Sequence, residues 1–203
     1  MADYVEIEQK FDVDDDFARP DFGAISGGVT AAAPVTYHLS ATYFDTPDTR
    51  LAAAKITLRR RTGGTDEGWH LKLPAGTDTR REFRAPLSDA LPGRLAAQVA
   101  EVTGGAPVVP IATLDTERTV VTLTADGTVV AEIADDVVTA RRLAARDAAG
   151  HGRDGGRQLR WREIEVEVPE PVPWLQEAAA KMLLAAGARP AGKASKLARL
   201  LDA

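Results

Sequence analysis

Glu6, Glu8 and Lys10 occupy alternate positions in the run VEIEQKF near the N-terminus. Alternate residues of a β-strand share one face, so these three would point the same way, with neighbouring carboxylates about 7 Å apart, two residue rises of about 3.3 Å. Carboxylates so spaced suit joint binding of a hard, oxygen-seeking cation such as Mg²⁺ or Mn²⁺. Alone, E-x-E-x-K is a common pattern on solvated strands. Its weight rises with a second acidic run, REIEVEV, which carries Glu163, Glu165 and Glu167. If the two strands neighbour each other or face across a closed sheet, four or five carboxylates converge. Such a cluster is strongly repulsive unless cations offset it, and bound divalent metal is the simplest relief.

The complementary charges lie between these runs. Arg59 and Arg61 alternate in LRRR, Lys72 follows in HLKL, Arg84 in RREFR and Arg118 in ERTVV. Guanidinium forks match phosphate oxygens, and an ammonium supplies a compact charge. Gathered on one face beside the acidic strands, they would form a polyphosphate cradle. Arg60 and Arg81 fall on the opposite face and are left out.

The elements that must position these groups are read from period-two runs. Eight are found: YVEIEQKF, HLSATYFDT, KITLRRRT, GWHLKL, TRREFRAPL, TERTVVTLTA, TVVAEIADDVVTARRL and LRWREIEVEV. Turn residues between them suggest meandering antiparallel strands, with the Asp126-Gly127 hairpin as the clearest turn. Helical patterns follow the first strand, run from an N-cap at Ser88 to Gly104, run from Pro173 to a stop at Gly187, and close the chain in KASKLARLLDA. The Gly-rich stretch 146–158 reads as a mobile loop. In strand after strand, arginine or glutamate takes one face and aliphatic residues take the other. The signs segregate by strand, which a closed barrel with a polar lumen would bring opposite one another. The expected fold is therefore α+β and mainly β: an eight-stranded antiparallel closed barrel with a charged lumen, helices packed outside, and one domain over 1–203.

Composition bounds the rest. The chain has 203 residues, no cysteine and a net charge of −5, which excludes disulfides and thiolate metal sites and argues against non-specific nucleic-acid binding. No secretory signal and no apolar run of membrane-spanning length stand out, so the expected location is cytoplasmic, without membrane or nucleic-acid partners.

Taken in order, VEIEQKF, TYFDTPDTRLAAAKITLRRR, GWHLKLP, RREFR, ERTVVTL, AEIADDVV, REIEVEV and KASKLARLL resemble a CYTH domain of the triphosphate tunnel metalloenzyme superfamily across essentially the whole chain. The resemblance implies a charged tunnel that binds triphosphate-containing substrates with divalent metal, Mg²⁺ or Mn²⁺, as two ions. It implies that Glu6 and Glu8 hold metal with Glu165 and with Glu163 or Glu167. Glu132 and Asp136 match acidic positions on the preceding strand, alternation favouring Asp136 over Asp135 for the inward face. Lys10, Arg59, Arg61, Lys72, Arg84, Arg118 and Lys196 resemble phosphate ligands, with Lys196 on a C-terminal helix that in the family can plug the tunnel. Glu6, Glu8 and Lys10 form the catalytic set. The implied activity is hydrolysis of inorganic triphosphate to diphosphate and phosphate. Alternatives are thiamine- or nucleoside-triphosphatase, class IV adenylyl cyclase, or a non-catalytic polyphosphate- or nucleotide-binding module. A helical CHAD domain is the expected companion if the chain is a fragment, and a homodimer is compatible with this reading.

Overall fold

The computed structural model describes residues 4–25, 27–75, 80–143, 156–191 and 195–203, and the side chains of residues 8 onward within them. Most of the Gly-rich stretch expected to be a mobile loop lies outside the described residues.

Ten strands form one antiparallel sheet: β1 (Tyr4–Val13), β2 (Val29–Ala31), β3 (Val35–Asp45), β4 (Thr57–Thr62), β5 (Gly68–Pro74), β6 (Arg80–Ala85), β7 (Val109–Ala125), β8 (Thr128–Arg142), β9 (Gln158–Val168) and β10 (Arg189–Pro190). The order along the sheet is β10-β1-β6-β5-β4-β3-β7-β8-β9, with β2 on β7 and a further pairing of β9 with β1. Each of the eight expected runs overlaps one strand. The expected eight-stranded closed barrel is nevertheless corrected. Among the described residues the sheet has ten strands, and its seam at β1 is staggered. Tyr4 to Glu6 pair with β6, whereas Ile7 to Val13 pair with β9. No residue of β1 is flanked by both long neighbours, and the two-residue β10 pairs with Phe11 and Asp12 instead. The sheet therefore does not close evenly along its length.

The outward face is apolar and carries helices. Leu175, Ala179 and Leu183 of α3 (Pro173–Ala185) recur every fourth residue and pack on Phe11, Leu123, Ile133, Ile164 and Val166. Each fully buried leucine contributes about 1.5–3 kcal/mol. Leu51 of α1 (Arg50–Ala53) and Leu95 and Val99 of α2 (Gly93–Thr103) cover Leu58, Trp69 and Leu71 in the same way. Ser88 does not cap α2, which begins after Pro92; its carbonyl accepts from Trp69 Nε1 and Arg60 Nε, so it anchors the outer layer instead. Asp45 is a fold element, since its buried carboxylate accepts the backbone N–H groups of Thr46, Leu51 and Ala52.

One helix departs from the outside packing expected of the helices, the C-terminal one that the resemblance allowed to plug the tunnel. Leu197 and Leu200 of α4 (Lys196–Leu201) pack on Ala41, Tyr43, Leu114, Val138, Ala140 and Trp161. By alternation these residues share faces with Arg118, Asp136 and Glu163, and Tyr43 stands opposite Arg59, so α4 sits on the inner face. The reason is a layer of apolar residues at one end of otherwise charged strand faces. Among the described residues, no helix is long and apolar enough to cross a membrane.

Candidate functional site

The inner faces of the strands line a cavity of about 80 Å³ with walls of opposite sign. The acidic wall comes from β1, β8 and β9. Register places Glu8 opposite Glu167, Lys10 opposite Glu165 and Asp136 opposite Glu163. Among the described residues this creates two carboxylate groups, Glu8/Glu165/Glu167 and Asp136/Glu163/Glu165, in each of which one oxygen per residue lies within 4.8 Å of the others. The oxygen-only donor set and this spacing fit a hard divalent cation. Glu165 belongs to both groups. Asp136, Glu163 and Glu165 are buried, while Glu8 and Glu167 keep side-chain exposures of 14% and 30%.

Three cations of the chain are threaded through this wall. Lys10 Nζ lies 3.0 Å from Glu8 Oε2 and also meets Glu165. Arg118 forks onto Asp136 at 2.8 and 2.7 Å, reaches Glu165 Oε2 at 2.5 Å and lies 3.5 Å from Glu167. Lys196 Nζ lies 2.9 Å from Asp136, 2.7 Å from Glu163 and 2.7 Å from Glu165. Burial opposes the charge on Lys196, yet Asp136, Glu165 and Glu163 outweigh it and hold the ammonium well above its usual range. Burial likewise opposes ionisation of Glu165, and Lys10, Lys196 and Arg118 hold its carboxyl well below the ordinary one.

The opposite wall is basic. Arg59, Arg61, Lys72, Arg80 and Arg84 line it, with Asp66 and Glu82 among them. Burial and the neighbouring Arg59 and Arg118 bring Arg61 down to about 9, still a cation at neutral pH. Arg61 pairs with Asp66, and Arg84 forks onto Glu82 Oε2 at 2.9 and 2.6 Å. Arg59 donates to the Tyr43 hydroxyl at 3.3 Å. Behind this wall, buried His70 places Nδ1 2.8 Å from Glu82 Oε1 and Nε2 2.8 Å from the Asp66 carbonyl oxygen. Both partners are acceptors, so only an imidazolium could donate to both. Burial, reinforced by Arg59 and Arg61, lowers the ring to about 4 despite the Glu82 contact. At neutral pH the ring is therefore neutral and its single proton goes to Glu82, the charged and stronger acceptor.

Of the residues expected from sequence, Glu8, Lys10, Arg59, Arg61, Lys72, Arg84, Arg118, Asp136, Glu165, Glu167 and Lys196 line one cavity, with Glu163 against Lys196. Glu132 shares the face of Asp136 but is exposed and joins neither carboxylate group. The backbone of Glu6 pairs with Arg80; its side chain lies outside the described residues. Arg80, Glu82, Asp66 and Tyr43 were not singled out for the site. Arg80 and Glu82 were signalled by their alternation with Arg84, whereas Asp66 lies in a connection without periodicity.

A family model described as the CYTH domain matches residues 5–200. Two Mycobacterium tuberculosis proteins described as uncharacterized, MT2285 (strain CDC 1551 / Oshkosh) and Rv2226 (strain ATCC 25618 / H37Rv), are 45% identical over 210 residues. That alignment covers 100% of this chain but 41% of each relative, so the chain spans well under half their length. Among solved structures, a Bacillus halodurans protein described as a candidate adenylate cyclase matches with a TM-score of 0.66 at 18% identity, covering 98% of each chain. The PH1819 protein of Pyrococcus horikoshii OT3 matches at 0.53 and 16%, covering 97% of this chain and 98% of that one. A Hippeastrum protein, HpAC1, described as a candidate adenylyl cyclase with a dominant triphosphatase activity, matches at 0.51 and 16%, covering 97% and 95%. At these identities the structures speak for the fold alone. With its family model spanning 5–200, this chain belongs to the CYTH domain family.

Proposed function

We propose that the protein hydrolyses a triphosphate with the help of a divalent metal, with inorganic triphosphate as first substrate and diphosphate and phosphate as products. The observation that carries this reading is the pairing of two carboxylate groups with a basic wall across one cavity. Five cations on that wall face two carboxylates, an excess of three positive charges suited to a polyanion. Among the described lining residues Tyr43 is the one aromatic, and its hydroxyl already takes Arg59. Such a wall offers no stacking clamp for a nucleobase, which favours the inorganic substrate over ATP or thiamine triphosphate.

Glu8, Glu165 and Glu167, or Asp136, Glu163 and Glu165, would hold Mg²⁺ or Mn²⁺. When bound, the metal supplies charge neutralisation at phosphate oxygens and a more acidic water. Arg59, Arg61, Lys72 and Arg84 bind and orient the phosphates and offset charge that develops on the leaving diphosphate. Burial of the acidic wall keeps these interactions in a medium where they are stronger than in bulk water. No nucleophilic side chain is required.

Phosphate release from triphosphate with Mg²⁺ or Mn²⁺ is the direct test, and no turnover with any metal would sink the proposal. Glu8→Ala should cut turnover by roughly a hundredfold or more, since a metal's charge stabilisation amounts to several kcal/mol. Products from ATP separate the alternatives: cyclic AMP marks a cyclase, ADP a nucleoside triphosphatase. Metal-dependent affinity without turnover marks a binding module.

A further inference from the structure

We infer that Lys196 is a built-in cation that fills one of the two carboxylate groups, so that the protein takes a single divalent ion, at Glu8, Glu165 and Glu167, while α4 stays docked. The inference deepens the reading above. It rests on the assignment of these carboxylates to metal and not on any turnover.

The Lys196 ammonium lies 2.9, 2.7 and 2.7 Å from Asp136, Glu163 and Glu165, the three carboxylates of the deeper group. A cation in hydrogen-bond range of all three leaves no room among them for another. The ammonium is delivered by an element with its own anchors. Ser195 Oγ accepts the Ala198 N–H at 3.1 Å and caps the helix. Leu197 and Leu200 are buried on the inner face, and Arg199 pairs with Asp12 while its guanidinium lies 5.0 Å from the centre of the Trp161 ring. Lys196 therefore stays in the group for as long as α4 holds.

The shallower group differs in exposure. Glu8 and Glu167 keep side-chain exposures of 14% and 30%, with Lys10 on Glu8 and Glu165 at one flank and Arg118 on Glu165 and Glu167 at the other. Charge points the same way. Among the described side chains, five carboxylates on the acidic wall face Lys10, Arg118 and Lys196, leaving two negative charges, the complement of one divalent ion. The ammonium also fits its group imperfectly. Glu163 Oε1 receives no hydrogen bond of acceptable geometry although Lys196 is 2.7 Å away. A second ion can thus compete there, but only by expelling Lys196 and undocking α4.

The test is an Mn²⁺ titration of the whole chain, with bound ion counted by electron paramagnetic resonance and α4 followed by amide hydrogen exchange. Wild type should bind one Mn²⁺ with the amides of 196–201 still protected. A second equivalent should bind only at Mn²⁺ concentrations that also remove that protection. Lys196→Met keeps most of the length of the side chain and removes its charge. It should bind two Mn²⁺, the second site tightening by about tenfold or more, the scale on which one close charge shifts an ionic equilibrium. Two ions bound to wild type with α4 protected would overturn the inference, as would a Lys196→Met variant that binds one, or no binding at all. If that variant fails to fold, the wild-type titration and exchange decide alone. A chain that binds one Mn²⁺ and hydrolyses nothing would sink the proposed activity and leave this inference standing.

Discussion

Glu165 joins the two carboxylate groups and touches Lys10, Arg118 and Lys196 at once. Glu165→Gln leaves three buried or half-buried cations short of a counter-charge, and removing one partner of a buried pair costs about 3–5 kcal/mol. Chemical denaturation should show that loss, even without metal. His70 offers a test by pH. Its folded pKa, about 4, lies below the ordinary 6.5, so the unfolded chain takes up the proton first as pH falls. Stability should be full above about 6.5 and decline towards pH 4 by roughly 3 kcal/mol. Glu82, also depressed, begins to contribute to acid sensitivity only below its ordinary 4.5, so the upper part of the window reports His70. Denaturation midpoints of wild type and His70→Phe at pH 7 and 5 check this; the variant should lose the slope. Glu165 was legible in sequence because alternation put it between Glu163 and Glu167 on one strand face. The His70–Glu82 contact was not, because it joins diagonal positions on β5 and β6, where the register sets Lys72 opposite Glu82 and His70 opposite Arg84. No spacing along one chain segment displays that.

α4 shows how far an element can be read from its own residues. Its helical pattern and Lys196 were visible; a place at the tunnel came from the family resemblance alone, and nothing in its own residues showed the inner face. The apolar residues that receive it, among them Ala41, Leu114, Val138 and Trp161, occupy the same strand faces as the charged groups. Alternation sorts residues into two faces but does not tell that one face changes from charged to apolar along its length. β2, β10 and α1 escaped for a different reason: they hold three, two and four residues, too few for a period to register. Because Leu200 is buried in the α4 contact, Leu200→Ala should weaken docking by about 2–5 kcal/mol. Amide exchange at 196–201 should accelerate accordingly. Exchange in β7, β8 and β9 should change far less, since the strand ladders do not pass through α4.

At the scale of the molecule, the sheet is built around a divided electrostatic interior. β1, β8 and β9 bring the acids together, while β4 and β6 bring the guanidinium groups and β5 the Lys72 ammonium. The staggered seam lets β1 join the acidic side through Ile7 to Val13 and the basic side through Tyr4 to Glu6. Among the described side chains, two negative charges remain on the acidic wall after Lys10, Arg118 and Lys196 are counted. Unfolding separates the carboxylates and destroys any site they form together, so an ion held there binds the folded chain in preference to the unfolded one. Mass action then ties stability to metal concentration: at a hundred times the dissociation constant, the folded state gains about 2.7 kcal/mol. Adding EDTA to the Mg²⁺- or Mn²⁺-loaded protein should therefore lower Tm, and restoring the ion should recover it. Matched ionic strength from KCl should not substitute, because a monovalent salt screens the wall without bridging its oxygens. Glu8→Ala should blunt the response to EDTA, since it removes one oxygen ligand of the shallower group. A Tm indifferent to divalent ions in wild type would show that the chain's own cations suffice for the acidic wall, and would count against metal there.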